Sequence, residues 1–292
     1  MRWRGVSVAV LLALALLEGV VRWREWGRLP PGPAEGIRGV VVKAPSTAGT
    51  LVVLGDSIPW GYGLSEPENA WPVLLGRELA RRGTPWQVVD VSLPGETSLQ
   101  GWARWRRDVL PWRPQRVILA LGTNDCFLRY TPTDAWRWAH VPQGLGRFLR
   151  LWHVARVKML SPPPDEPPQW APRLTPDQTA TVFRMLLRAA RASRVEAWML
   201  TPAPPGPQAH ADWPAALRAY QKEVCARTRT AMWQVAQEFE AGVIDLWTSL
   251  HPPREEWYQP DGVHLSPEGH ALVAREILRT MFPAPDEGGK SR

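Results

Sequence analysis

A serine stands three residues after a short apolar run in the segment LVVLGDSIPWGYG, residues 51–63. The first four residues are apolar and include two β-branched valines, which predicts a buried strand. This strand ends on Asp56 and Ser57, and two glycines follow at Gly61 and Gly63. Three kinds of chemistry fit such an ending: a loop that cradles phosphate, a metal site, or a serine nucleophile.

The phosphate and metal hypotheses both lack a complete motif. A dinucleotide-binding loop needs the glycines of G-x-G-x-x-G, and Glu66 stands where the third glycine belongs. Hard cations prefer carboxylate oxygens and zinc prefers histidine, so acids and a histidine near predicted strand ends are candidate ligands. These candidates are Asp56, Asp125, Asp261 and His264. No HExxH motif accompanies them, and the metal hypothesis stays open.

The nucleophile hypothesis explains more residues. A serine hydroxyl needs a base to take its proton, and a carboxylate commonly orients that base. The segment PDGVHLSPEGH supplies both, with Asp261 three residues before His264. Asn124 is one of only two asparagines and follows a predicted strand, where its amide can donate to a developing oxyanion; a turn residue is the alternative. Together these residues predict acyl transfer at Ser57.

Alternating strands and helices must bring these residues together. Short apolar strands alternate with amphipathic helices, and Ser266 caps the last helix, with Pro267 in its first turn. This pattern predicts an α/β fold with a parallel sheet covered on both faces, whose site lies at the carboxyl ends of the strands. The predicted strands are 51–54, 87–91, 116–121, 195–200 and 243–246, and the predicted helices are 70–82, 98–110, 176–193, 213–240 and the segment after 266.

The chain resembles the SGNH hydrolases, the GDSL-type esterases and lipases, from about residue 51 to 283. Three family blocks match LGDSIPWGYG, the Gly-x-Asn-Asp of residues 122–125, and the Asp-x-x-His of PDGVH. A fourth block, which carries an oxyanion-hole glycine, fits VVDVSLPGETS with Gly95 in that place. The chain departs from the family at Pro59, where threonine is frequent, and at Asp90 and Ser92, where asparagine and glycine are frequent.

The resemblance implies a three-layer α/β/α, flavodoxin-like fold with five parallel strands, and a mechanism that uses no metal and no cofactor. The implied domain spans residues 51–283, with an insertion at about 126–176 that interrupts the alternation. The implied site residues are the nucleophile Ser57, the base His264, its partner Asp261, and the oxyanion donors Ser57 N–H, Gly95 N–H and Asn124.

No motif identifies the substrate. Trp60, Tyr62 and Trp71 are near the nucleophile in sequence and are candidates to line a substrate pocket, with core packing as the alternative. We expect a small or polymeric ester, with an acyl group on an envelope carbohydrate or lipid that is cleaved or transferred. Two other function classes stay open: a metal-dependent phosphoesterase that uses the same acids, and a non-catalytic envelope-binding domain.

The first 28 residues predict a membrane anchor. An apolar run from Val6 to Val21 is broken only by Glu18 and flanked by arginines, and its length is near the lower limit for a spanning helix. No small-residue cleavage site follows, which favours an anchor over a secreted form with a cleaved signal peptide, or a buried amphipathic helix. We expect a linker at 29–50, an extracytoplasmic domain and a polar tail at 284–292.

Composition excludes some functions of this 292-residue chain. With 45% hydrophobic and 22% charged residues, it can form one large core. The net charge of +7 fits attraction to an anionic membrane or polymer, but scattered basic residues and the lack of a known motif argue against nucleic acid as a partner. Cys126 and Cys225 form no CxxC pair, so we expect two free thiols, with a single bridge as the alternative.

Overall fold

A computed structural model describes residues 39–42, 48–84, 86–129 and 170–283. The chain divides into two compact units, and the fold described below belongs to the unit formed by Glu35–Leu128 and Pro172–Arg292. The predicted anchor at 1–28 and the tail at 284–292 lie outside the described residues, as do most of the linker and most of the insertion. Within the described ranges, no helix has both the length and the apolar character needed to cross a bilayer.

A six-stranded sheet forms the centre of this unit, in the order β1-β3-β2-β4-β7-β8. Its last five strands are parallel to one another, which confirms the predicted parallel sheet. A separate two-stranded sheet pairs β5 with β6. The strands are β1 Gly39–Val42, β2 Gly49–Gly55, β3 Trp86–Asp90, β4 Arg116–Ala120, β5 Leu128–Arg129, β6 Ala171–Pro172, β7 Glu196–Leu200 and β8 Gly242–Ile244.

The edge strand β1 corrects the predicted linker. It pairs antiparallel with β3, so that Gly39 lies opposite Asp90 and Val40 opposite Val89. The surrounding segment is rich in proline, glycine and alanine, and this composition concealed a short run of valines with high strand propensity. Part of the predicted linker therefore closes one edge of the sheet.

The long helices match their predicted positions to within a few residues. One segment differs: the helix predicted at 98–110 is an α-helix only as far as Ala103, and continues as a π-helical turn and a 3₁₀ turn. Pro111 cannot supply the N–H that a regular helix would need at that point. The helices are α1 Ser57–Trp60, α2 Trp71–Arg81, α3 Ser98–Ala103, α4 Thr123–Cys126, α5 Pro176–Ala192, α6 Ala215–Phe239, α7 Leu246–Ser249 and α8 Pro267–Met281.

Helices cover both faces of the sheet. On one face α2 packs against α8, and buried side chains of both helices join alternate residues of the central strands in one apolar cluster. On the other face α5 and α6 pack on each other and against β7 and β8. The last helix begins as predicted, because the Ser266 hydroxyl accepts a hydrogen bond of 3.2 Å from the N–H of Gly269. This three-layer packing fixes the strand ends that carry the candidate site.

A disulfide joins Cys126 in α4 to Cys225 in α6, so the expectation of two free thiols was wrong. The two cysteines are 99 positions apart in the sequence, so no local pattern signals the bond. The pairing arises because α4 follows the buried strand β4 and packs against α6, which brings distant parts of the chain together.

Candidate active site

Ser57 is the first residue of α1, directly after the central strand β2. Asp56 caps this short helix, accepting a 2.9 Å hydrogen bond from the N–H of Ile58, and Gly61 ends it with a φ of +74°. Gly55 allows Pro59 of α1 to pack close to the end of β2, since a β-carbon at Gly55 would lie 2.3 Å from Cγ of Pro59. The strand-to-helix turn therefore fixes the serine at the edge of the sheet.

Ser57, His264 and Asp261 form a continuous chain of polar contacts. Nε2 of His264 lies 3.0 Å from Oγ of Ser57, and Nδ1 lies 2.5 Å from Oδ2 of Asp261. The other oxygen of Asp261 accepts from the N–H of Val263 at 2.9 Å and of His264 at 3.0 Å. The three-residue spacing thus folds into a turn that holds the carboxylate against the imidazole. Chemically, this arrangement can move a proton from the hydroxyl to the ring.

The pKa of Asp261 lies below its ordinary value. Burial raises this pKa, but hydrogen bonds from the His264 ring and from the N–H groups of Val263 and His264 outweigh the burial. Asp261 is therefore ionised at neutral pH. An ionised carboxylate can both orient the imidazole and stabilise an imidazolium.

Gln259 joins the serine loop to the histidine loop. Its side-chain Nε2 donates to the carbonyl of Tyr62 at 2.7 Å and to that of Leu265 at 3.0 Å, and its N–H donates to the carbonyl of His264 at 2.8 Å. Gly63 has a φ of +80°, and a β-carbon there would lie 2.2 Å from Oε1 of Gln259. Sequence reasoning missed Gln259, because nothing near it in the chain indicates a contact with residue 62.

The proposed oxyanion donors follow the three adjacent strands β3, β2 and β4. Gly95 has a φ of +78°, and a β-carbon there would meet no atom within 4 Å. Within the described ranges, neither the N–H of Gly95 nor that of Ser57 donates to another group of the protein. Asn124 is 8% exposed, and its amide nitrogen lies 3.4 Å from Oδ2 of Asp56. The open space at Gly95 leaves room for a substrate.

Two buried acids lie beneath these loops. Burial raises the pKa of Asp56 to about 7, and the charges of Asp125 and Glu96 add to this, while hydrogen bonds from Ile58 and Asn124 oppose it. Burial also raises the pKa of Asp125, whose carboxylate accepts from the N–H of Ser98 at 2.8 Å and from its hydroxyl at 2.5 Å. Among the residues described, no group of three or more acids, histidines or cysteines could hold a metal ion.

Two arginines that the sequence did not single out hold the Gly95 loop. Arg104 is 5% exposed, and donates to the carboxylate of Glu96 at 2.5 Å and to the carbonyl of Gly55 at 3.2 Å. Arg173 donates to the carbonyl of Gly95 at 2.6 Å. The contacts with Gly55 and Gly95 join distant parts of the chain, so no local sequence pattern predicts them.

The three aromatic candidates differ in exposure. Tyr62 is 49% exposed, and its ring centre lies 4.7 Å from that of His264. The ring of Trp60 lies 6.1 Å from that of Tyr62. Trp71 is fully buried in the apolar cluster, and its backbone N–H donates to Nδ1 of His270 at 3.2 Å. Trp71 therefore packs in the core, Trp60 is partly buried, and Tyr62 is the most exposed of the three.

Curated relatives include two bacterial enzymes. Esterase TesA of Pseudomonas aeruginosa is 31% identical over 134 residues, which cover 46% of this chain and 63% of TesA. That match spans less than two thirds of the relative's length. The thioesterase 1/protease 1/lysophospholipase L1 of Escherichia coli K12 is 23% identical over 238 residues, which cover 82% of this chain and 86% of that protein.

A solved structure that is described only as TesA has the same fold. It matches with a TM-score of 0.55 and 21% identity, over 80% of this chain and 98% of its own. At that identity the likeness supports the fold alone. The sequence model of the GDSL-like lipase/acylhydrolase family matches residues 53–272, well over half of the chain. The chain therefore belongs to the GDSL-like lipase/acylhydrolase family and is a hydrolase that acts on ester bonds.

Proposed function

We propose that the protein is a serine acylhydrolase in which Ser57, His264 and Asp261 act as a catalytic triad. The observation that carries this proposal is the continuous contact from Oγ of Ser57 through the His264 ring to Asp261, at 3.0 and 2.5 Å. Without an acid beside it, the histidine would have no partner to fix the tautomer of its ring. Here the acid is in place and ionised.

The proposed reaction has two stages. His264 Nε2 takes the proton of Ser57 while Oγ attacks the carbonyl carbon, and the resulting imidazolium then protonates the leaving alcohol. Water, deprotonated by His264, attacks the acyl-serine, and the acid leaves with Ser57 restored. If a second alcohol replaces water in this step, the acyl group is transferred rather than hydrolysed.

Three donors are proposed to stabilise the oxyanion: the N–H of Ser57, the N–H of Gly95 and the amide of Asn124. Support comes from their positions after three neighbouring strands and from the two backbone N–H groups, which have no acceptor among the described residues. Preorganised donors of this kind contribute most when the carbonyl oxygen becomes charged.

We propose an acyl ester of an envelope carbohydrate or lipid as the substrate. The exposed ring of Tyr62 beside His264 offers an apolar surface to an acyl chain or a sugar. Relatives named as esterase, thioesterase and lysophospholipase are compatible with a lipid or thioester substrate as well. The common chemistry is acyl transfer from oxygen or sulfur to water.

The proposed location is outside the cytoplasm, with the N-terminal 28 residues as an anchor. The disulfide between Cys126 and Cys225 supports an oxidising compartment, because reducing systems of the cytosol keep most protein thiols free. The apolar run from Val6 to Val21 supports attachment to the membrane.

A substrate panel tests the proposed chemistry. We would assay p-nitrophenyl esters of short, medium and long acyl chains beside p-nitrophenyl phosphate, with and without EDTA, using Ser57→Ala as the control. We expect hydrolysis of acyl esters that EDTA leaves intact and that the control lacks. Phosphate hydrolysis abolished by EDTA would instead support the metal-dependent phosphoesterase, and envelope binding without hydrolysis of any substrate would support a binding domain.

A further inference from the structure

Asn124 sits on an element too short to hold itself in place. The helix α4 has four residues, Thr123–Cys126, and begins after Gly122, whose φ is +116°. Its own support consists of hydrogen bonds from the N–H of Cys126 to the carbonyl of Gly122 at 3.2 Å, and from Phe127 to Thr123 at 3.1 Å. A single helical turn is unstable in isolation, so its position must come from tertiary contacts.

The far end of α4 is fastened to the long helix α6 at two points. The first is the covalent bond between Cys126 and Cys225. The second is the amide of Gln221, which donates to the carbonyl of Cys126 at 3.1 Å and accepts from the N–H of Leu128 at 2.8 Å. Gln221 and Cys225 are four residues apart and therefore lie on one face of α6. Gln221 is 1% exposed, so its amide depends on these partners.

The side chain of Asn124 has little else to fix it. Its amide nitrogen contacts Asp56 at 3.4 Å, a long hydrogen bond, and the side chain is two residues from the disulfide. The place of the Asn124 amide is therefore determined mainly by the backbone of α4. That backbone is in turn fixed at its C-terminal end by α6, which has 25 residues and packs against α5. The carboxylate of Asp125 is a further attachment, since it accepts hydrogen bonds from Ser98 and from the Thr179 hydroxyl.

We propose that the Cys126–Cys225 disulfide and Gln221 are positioning groups that hold the Asn124 amide where the oxyanion forms. This inference rests on the proposed role of Asn124 as an oxyanion donor. Opening the bond frees the C-terminal end of α4 to shift about the attachment at Asp125, and the amide then meets the tetrahedral intermediate poorly. Because the amide acts on the transition state, the loss falls on kcat rather than on KM.

The test uses the reductant tris(2-carboxyethyl)phosphine on the full-length protein. The disulfide takes up two electrons and two protons to give two thiols, while the phosphine takes oxygen from water and becomes its oxide. The chain has two cysteines in all, so every thiol that the reductant produces comes from this bond. The reduced thiols are counted with a thiol reagent, and kcat and KM are measured with p-nitrophenyl acetate well below the melting temperature.

We expect reduction to lower kcat of the wild type by about tenfold or more, since small displacements of a catalytic group are costly, and to leave KM within about twofold. The Cys126→Ala/Cys225→Ala variant should have the kcat of the reduced wild type, and the reductant should not change it. Gln221→Met keeps the disulfide and should lose part of kcat. Reduction of Asn124→Ala should have no further effect on kcat, because residues that act through one group are not additive.

Val235→Ala is the matched control, since Val235 is fully buried on the same helix but ten residues beyond Cys225. We expect it to lower the melting temperature without lowering kcat. A wild type with counted thiols and unchanged kcat would overturn the inference, as would equal losses on reduction in the wild type and in Asn124→Ala. A normal kcat in oxidised Asn124→Ala would instead overturn the oxyanion role of Asn124, and with it this inference.

Discussion

At the scale of single residues, Asp261 determines which ring nitrogen of His264 carries the proton in the proposed mechanism. In Asp261→Asn, the side-chain oxygen can still accept from the N–H groups of Val263 and His264, which leaves an NH₂ group facing Nδ1 of His264. That favours the tautomer whose Nε2 cannot accept a proton from Ser57. We expect kcat to fall by about 10⁴-fold, as in other serine triads. A loss below tenfold in steady-state assays would show that Asp261 has no such role.

The buried carboxyl of Asp56 leads to a second prediction for a single residue, which concerns the pH dependence of stability. Burial raises its folded pKa from 3.8 to about 7, so the folded state keeps a proton that the unfolded state releases. Its contribution to stability is therefore complete below pH about 4 and is lost as the pH rises through about 7. We expect the free energy of unfolding of the wild type to fall relative to that of Asp56→Asn across this range. Urea unfolding at several pH values measures the difference, and parallel curves would contradict it.

The sequence predicted those candidate site residues whose neighbours in the chain form a recognisable local pattern. Ser57 follows an apolar strand, and Asp261 and His264 share one turn, so each could be recognised locally. Gln259, Arg104 and Arg173 could not, because their partners lie on other segments and a buried arginine looks like a surface one in sequence.

At the scale of elements, α2 and the loop before it place two aromatic residues in opposite environments. Trp71 is fully buried, so Trp71→Ala should lower the free energy of unfolding by about 3–5 kcal/mol. Tyr62 is half-exposed beside His264, so Tyr62→Ala should change stability by only about 0.5 kcal/mol. It should raise KM for apolar esters by about 2- to 10-fold. Denaturant unfolding and ester kinetics on both variants test this pair; unchanged KM values in Tyr62→Ala would remove Tyr62 from the substrate site.

Hydrophobic periodicity predicted the elements that bury a clear face. The helices α2, α5, α6 and α8 have such faces, whereas the five parallel strands were predicted from short apolar runs. The predicted positions of both agree with the structure. The edge strand β1 was missed because its short run of valines lies between flanks that are rich in loop-forming residues. The irregular end of the 98–110 segment depends on the missing N–H of Pro111, which hydrophobic periodicity does not report.

At the scale of the whole molecule, the proposed anchor determines where the hydrolase acts. If residues 1–28 span the membrane, full-length protein should sediment with membranes and resist carbonate extraction, and removal of these residues should release a soluble, active enzyme. In such a spanning helix, Glu18 would lie near one end of the apolar run and one turn before Arg22, where a charge is tolerated at the interface. Uncleaved full-length protein in the soluble fraction would contradict the anchor. Protection of the domain from protease in spheroplasts would contradict its orientation.

The central claim is that Ser57 is the nucleophile, activated by His264. A fluorophosphonate probe forms a covalent bond to an activated serine oxygen, and mass spectrometry of the digested protein identifies the modified residue. We predict one adduct, on the peptide that contains Ser57, in the wild type, and no adduct in Ser57→Ala that retains the wild-type melting temperature. Equal labelling of the two proteins, or an adduct on a different peptide, would contradict the account.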